Sequence, residues 1–168
     1  MVTKMKVSLN YGTHLAPLMK AVRKTTGDIL ELGMGVFSTP FLHYTSILEN
    51  RKVVSVENFQ NWAKFFRDWY DHPTHKILIV DKYANAPIDK EWDVVLIDQT
   101  PDSSRTEEIR RLANLAKYIV IHDANRNNHV VTHYNEIYPL FKYRTDWTGD
   151  ANSAVVLSNL VDLGDFWK

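Results

Sequence analysis

The sequence predicts an α/β fold in which a parallel sheet is covered by helices and ends in an antiparallel hairpin. Two patterns carry that prediction. The first is a series of short apolar runs, Ile29–Leu32, Val53–Val56, Ile77–Val80, Val94–Ile97 and Tyr118–Ile121, rich in β-branched residues and too continuous for a strand with one wet face. Such runs suit parallel strands buried on both faces, and the helix-length segments between them, near 39–50, 59–70 and 104–116, suit crossover connections. The second is the pair Lys142–Trp147 and Ala154–Ser158, read as two strands because only Thr148-Gly149-Asp150-Ala151 and two further polar residues separate them. At 168 residues the chain is expected to form one domain, 1–168.

Each helix start has its own local chemistry. Residues 1–26 are read as an N-terminal helical cap segment ahead of a core spanning 27–158. Ser38-Thr39-Pro40 offers a capping hydroxyl and then a proline, tolerated in a first turn because its missing N–H would be unpaired there anyway. Trp62, Phe65, Phe66, Trp69 and Tyr70 recur at helical spacing and read as a core stripe or a subunit contact rather than a stacking surface for a ligand. Ser104 and Glu107 have capping-box spacing, and Asn128–Leu140 is read as a further helix.

Composition excludes several functions. Lys plus Arg and Asp plus Glu are both 20, so there is no global basic footprint for nucleic acid or an anionic membrane, although a local basic groove stays open and nucleic acid remains a weaker third substrate option. The absence of cysteine removes disulfides, thiolate nucleophiles and thiolate-bound zinc, and fits a cytoplasmic protein. No apolar run approaches the roughly 18 residues of a membrane span, and the N-terminus lacks a stretch of signal-peptide character.

The chemistry-bearing residues collect at the carboxyl ends of the predicted strands, where open α/β sheets bind ligands. Glu31-Leu32-Gly33-Met34-Gly35-Val36-Phe37-Ser38 follows the first strand and opens a helix; its glycines allow a sharp turn and close backbone approach. Ser38 stands where the dinucleotide fingerprint needs a third glycine, so that motif is not met. Glu57 ends the second strand and has two oxygens with which to accept a ribose diol; a solvated strand end is the plainer reading. Asp81 ends the third strand, either as a turn residue or as an acceptor for an adenine amino group. Asp98 ends the fourth, and His122-Asp123 follows the fifth.

With these residues on the page, the sequence resembles class I S-adenosylmethionine-dependent methyltransferases. The resemblance rests on Glu31-Leu32-Gly33-Met34-Gly35 with Ser38, on Glu57, on Asp81 and on Trp92-Asp93-Val94-Val95-Leu96-Ile97-Asp98, and covers roughly residues 27–158. It implies a three-layer Rossmann-like methyltransferase fold with a seven-stranded, mostly parallel sheet whose last strand inserts antiparallel. It implies S-adenosyl-L-methionine as cofactor, Gly33 and Gly35 close to it, Glu57 on the ribose, Asp81 facing the adenine and Asp98 bordering the methionyl end. Glu31, Ser38, Thr39 and Asn58 complete the implied cofactor-binding set.

Departures narrow the activity. Asp98-Gln99-Thr100-Pro101 lacks the pattern of amino-methylating DNA enzymes. Catechol-type O-methyltransferases bind Mg2+ through an Asp after strand four and an Asp-Asn after strand five. Here Asp98 and Asp123 match, Ala124 replaces the Asn, Asn125 is one place late, and Pro101 replaces the lysine base. A Mg2+ site of Asp98, Asp123 and Asn125 has suitable oxygen donors but is disfavoured by those departures. Without a metal, His122 or His14 is the candidate base, with Asp98 and Asp123 beside it. Two plainer readings remain: adjacent strand residues point to opposite faces, which would separate His122 from Asp123, and the favoured reading of His14 is a surface histidine near a helix start.

The expected activity is methyl transfer to a small polar acceptor, preferentially a hydroxyl of a sugar or similar metabolite. The donor-rich loop Arg126, Asn127, Asn128, His129 and His133 suits such a substrate. No inserted lid is visible, so a second copy of the chain completing the pocket is an open option. The rivals are another use of the cofactor, such as its cleavage, and a non-catalytic binding or regulatory subunit.

Overall fold

The computed structural model describes residues 7–124, 133–149 and 153–168. A 3-10 turn, Leu9–Gly12, leads into α1 (Leu15–Arg23). Strands and helices then alternate: β1 (Ile29–Leu32), α2 (Ser38–Leu48), β2 (Val53–Glu57), α3 (Gln60–Tyr70), β3 (His75–Ile79), β4 (Trp92–Ile97), α4 (Arg105–Leu112) and β5 (Ala116–Ile121). A short α5 (Tyr134–Ile137) precedes β6 (Tyr143–Trp147) and β7 (Ala154–Ser158).

The seven strands form one sheet in the order β3-β2-β1-β4-β5-β7-β6. The first five are parallel, and β7 inserts antiparallel between β5 and β6. All four residues of β1, all six of β4 and all five of β7 are buried, as central strands covered on both faces require. Leu18, Ala21 and Val22 of α1 and Leu42 of α2 pack with Ile29, Val53, Val94 and Val120 on one face, closed by Leu163 and Phe166. Leu30, Leu32, Val95, Ile97 and Ile119 face the other way, against Ile109 and Leu112 of α4 and Ile137 of α5. This is the predicted three-layer arrangement, and the predicted antiparallel hairpin is present.

Several local expectations are corrected. β3 begins at His75, two residues before the predicted Ile77, because His75 and Lys76 pair with Val53 and Val54 of β2; their polar side chains hid the strand start. α4 ends at Leu112 rather than near 116, since Ala116 already belongs to β5. The Ser104–Glu107 capping box does not form: a 3-10 turn precedes α4, and the Ser104 hydroxyl donates to the Pro101 carbonyl at 2.8 Å. Ser38 lies inside α2, whose N-cap is Phe37. Of the helix expected over Asn128–Leu140, the described part is α5 followed by a 3-10 turn, Tyr138–Leu140. The aromatic stripe of α3 divides: Phe66 is buried, Phe65 and Trp69 are exposed, and Trp62 reaches the cavities described next.

Candidate functional site

The turn after β1 shapes the site. Gly33 has φ 88°, a left-handed conformation, and a Cβ there would lie 2.5 Å from the Asp98 carbonyl carbon. Only glycine meets both conditions without strain. The turn packs directly on the end of β4, which sets Asp98 beside it.

Behind the turn lies a buried polar network. Glu31 is fully buried and in register with Ser55 on the α2 face of the sheet. Thr39 donates to Glu31 at 3.0 Å and accepts from the Gly35 N–H at 3.0 Å, so the carboxylate holds the glycine turn through one hydroxyl. Ser55 donates to Glu31 at 2.5 Å and contacts Nε2 of His75 at 2.8 Å, and the Nδ1 atoms of His75 and His43 are 3.2 Å apart. With the Ser55 proton on Glu31, His75 must carry its own on Nε2, which leaves its Nδ1 to accept from His43. Burial pushes the Glu31 carboxyl up to about 7 against the opposing effect of its hydroxyl donors. Burial also drives His75 down to about 3, aided by His43 and His72.

In front of the turn are two cavities. One, of about 430 Å3, is lined by Gly33, Met34, Glu57, Asn58, Phe59 and Trp62 together with Asp98, Thr100 and Pro101. The other, of about 410 Å3, is lined by Tyr11, Gly35, Val36, Asp102, Arg105, His122 and Asp123. Met34, Trp62, Asp98 and Thr100 belong to both walls, so Asp98 stands where the two compartments meet. Glu57 accepts the Met34 N–H at 3.0 Å and the N–H groups of Asn58 and Phe59 at 2.9 Å each, which fixes its carboxylate at the edge of the first cavity.

His122 lines the second cavity. Ile97 of β4 and Ile121 of β5 are register partners, so Asp98 and His122 are the next pair along the two strands. Nδ1 of His122 is 2.8 Å from Oδ1 of Asp98, and Arg105 donates to the same oxygen at 3.2 Å. Arg105, itself buried, also bonds the carbonyls of Gln99 and His122 at 2.8 and 3.0 Å, tying the ends of β4 and β5 together. Burial works against a charged His122 ring, but the Asp98 hydrogen bond and charge, with Asp123, outweigh it and hold the ring above its ordinary value. Burial likewise opposes a charged Asp98, and His122, His14 and Arg105 overcome it, so its pKa is lowered.

His122 and Asp123 share the site, because Asp123 has φ 55° and the chain leaves the extended conformation there; Nε2 of His122 is 3.6 Å from Oδ1 of Asp123. Nε2 also lies 3.0 Å from the Thr13 hydroxyl. His14 is not on the surface: it is 1 % exposed, at the start of α1, and its ring centroid lies 4.5 Å from that of His122. Burial lowers its pKa to about 4.

The structure thus brings together Gly33, Glu57, Asn58 and Asp98 in one cavity, and Gly35, Asp98, His122 and Asp123 in the adjoining one, with His14 against His122. It does not bring all the sequence candidates to a cavity wall. Glu31, Ser38 and Thr39 are fully buried behind the glycine turn. Asp81 is exposed, accepts from the Lys82 N–H at 2.9 Å and from Asn85 at 2.8 Å, and lines a third cavity with Asn58, Tyr83 and Pro101. Asn125 and the loop residues Arg126, Asn127, Asn128 and His129 lie outside the described residues, so of the Mg2+ set only Asp98 and Asp123 are seen. Sequence reasoning missed Thr13, Tyr11 and Arg105. For Arg105 a signal existed: a cation in the first turn of a helix opposes the helix dipole, so its place there suggests a partner elsewhere.

A mostly parallel sheet in the order 3-2-1-4-5-7-6 with β7 antiparallel, a glycine turn after the first strand and acids at the strand ends is the fold of class I methyltransferases. No family model and no curated protein sequence matches the chain. Solved structures match its fold. An S-adenosylmethionine-dependent O-methyltransferase from Thermotoga maritima aligns at TM-score 0.67 and 13 % identity, over 94 % of this chain and 68 % of that one. The O-methyltransferase of tomaymycin synthesis from Streptomyces achromogenes, solved with S-adenosylmethionine, aligns at TM-score 0.61 and 14 % identity, over 94 % and 82 %. An O-methyltransferase from Bacillus cereus, solved with S-adenosylhomocysteine, aligns at TM-score 0.59 and 12 % identity, over 92 % and 81 %. Among the described residues, no helix is long and apolar enough to cross a membrane.

Proposed function

We propose that the chain transfers a methyl group from S-adenosylmethionine to a hydroxyl of a small polar acceptor. The observation that carries this reading is the Asp98–His122 hydrogen bond at the junction of two cavities. The residues of the first cavity fit the nucleoside: Glu57, which accepts three backbone N–H groups, keeps one lone-pair site on Oε2 for a ribose hydroxyl, Gly33 leaves room for close approach, and Trp62 and Met34 supply apolar surface. When bound, the cofactor supplies an electrophilic methyl on a sulfonium.

Methyl transfer is an in-line displacement, so the protein's main tasks are to align the reactants and exclude water. A hydroxyl acceptor also needs a place for its proton. Asp98 holds Nδ1–H of His122, which leaves Nε2 of the neutral ring as the basic atom. Thr13 adapts to either state: its hydroxyl donates to Nε2 of the neutral ring, or turns to the Asn10 carbonyl, 3.2 Å away, and accepts from the charged one. Asp98, Asp102, Asp123 and Arg105 line the acceptor side, a wall suited to a polyhydroxylated molecule such as a sugar.

The test is product analysis. The purified chain is incubated with S-adenosylmethionine and a panel of sugars and other small alcohols. Formation of S-adenosylhomocysteine with a methylated acceptor supports the reading. Methylthioadenosine as product, or cofactor binding with no turnover of any acceptor by the chain and its co-purifying partners, overturns it.

A further inference from the structure

His122 and the buried His14 packed against it admit a second chemistry. His14, Asp98 and His122 each present a ligand atom, and these atoms lie within 4.8 Å of one another. Metal–nitrogen and metal–oxygen bonds of about 2.1 Å allow two ligands on one ion to be up to about 4.2 Å apart, so small side-chain rotations complete the set. His14 supplies the independent observation. It is 1 % exposed, and neither of its ring nitrogens has a hydrogen-bond partner among the described residues. Leaving two buried nitrogens unpaired is costly for a ring placed against His122, and a shared ion would engage one of them.

The surroundings favour a cation. Asp98 and Asp102 each lie 3.2 Å from the Arg105 guanidinium, and Asp123 lies 3.6 Å from Nε2 of His122, so carboxylates surround the ring. Among the described residues, the hydrogen bonds to Asp98 from His122 and Arg105 both end on Oδ1, which leaves Oδ2 for an ion.

We propose that His14, Asp98 and His122 form a binding site for one divalent transition-metal ion of the zinc and cobalt class. Two imidazoles and one carboxylate suit such ions, whereas Mg2+ and Ca2+ require mostly oxygen ligands. The inference goes beyond methyl transfer, and its test uses neither cofactor nor acceptor, so either can fail without the other.

The experiment titrates the untagged, chelator-treated chain with Zn2+ and with Mg2+ by calorimetry, and with Co2+ by visible absorption. Expected are one Zn2+ per chain, binding at least about tenfold tighter than Mg2+, and Co2+ bands of a nitrogen-and-oxygen site. His14→Ala and His122→Ala should each weaken Zn2+ binding about tenfold or more, while His72→Ala, in the separate His43–His75 cluster, leaves it unchanged. Ring-nitrogen NMR of the wild-type chain gives a reading that no variant's folding can confuse: Zn2+ should shift the His14 and His122 signals. Absence of saturable binding, loss of binding in His72→Ala, or shifts confined to His43, His72 and His75 would overturn the proposal.

Discussion

Oδ1 of Asp98 and Nδ1 of His122 are 2.8 Å apart although 24 residues separate them in sequence. The contact follows from strand register: Ile97 and Ile121 are partners, and the chain continues one residue further on each side. The sheet itself therefore sets the orientation of the His122 ring against the carboxylate, the arrangement on which the proposed base rests.

That arrangement predicts a pH dependence. The ring accepts a proton only when neutral, and Asp98 and Asp123 outweigh burial to hold its pKa above the ordinary value of about 6.5. Turnover should therefore rise with pH through a midpoint above about 6.5. His122→Gln should remove that limb and lower the rate by about 100-fold or more, with cofactor affinity retained. A wild-type profile in His122→Gln would remove His122 as the base.

Cofactor binding is checked by thermal melts. Ligand at 100 times its dissociation constant stabilises by about 2.7 kcal/mol, which for a domain of this size raises the melting temperature by roughly 5–10 °C. S-adenosylmethionine and S-adenosylhomocysteine should give that shift and NAD should not. Glu57→Ala should weaken or abolish it if the carboxylate at the cavity edge accepts a ribose hydroxyl, as proposed.

Glu31 makes a stability prediction. Its folded pKa, about 7, lies above its unfolded value, so the folded state retains the proton longer. Stability from this group is full below the unfolded pKa and is lost as pH rises to about 7, by about 3 kcal/mol at 1.36 kcal/mol per unit. Without ligand, Glu31→Gln should keep more of its stability at pH 8 relative to pH 5 than wild type does, a difference of roughly 5–10 °C in melting temperature. Equal pH dependence in the two proteins would contradict the buried-carboxyl account.

Gly33→Ala tests the turn. The substitution combines a left-handed φ of 88° with a Cβ 2.5 Å from the Asp98 backbone, and that neighbour is main chain that cannot swing aside. A loss of about 2–4 kcal/mol in denaturant unfolding is expected. Gly149→Ala, where the close neighbour is the Trp147 side chain, should cost less.

The sequence by itself determined the architecture and which strand ends carry the candidate residues. Buried parallel strands must be apolar on both faces, so Ile29–Leu32 and Val94–Ile97 announce themselves as continuous runs, and a ligand-facing sheet edge collects residues such as Glu57 and Asp98 at strand ends. Where polar residues enter a strand, as His75 and Lys76 do, that signal fails. The tertiary structure alone decided which of the candidate residues meet. Register set Asp98 against His122, a left-handed Asp123 returned a neighbour that alternation would have sent away, and the approach of α1 buried His14 beside them. It also placed Glu31 and Thr39 behind the turn and Asp81 off to the side. Strand register, backbone handedness at a single residue and helix docking are cooperative properties of the packed chain, and no local residue pattern encodes them.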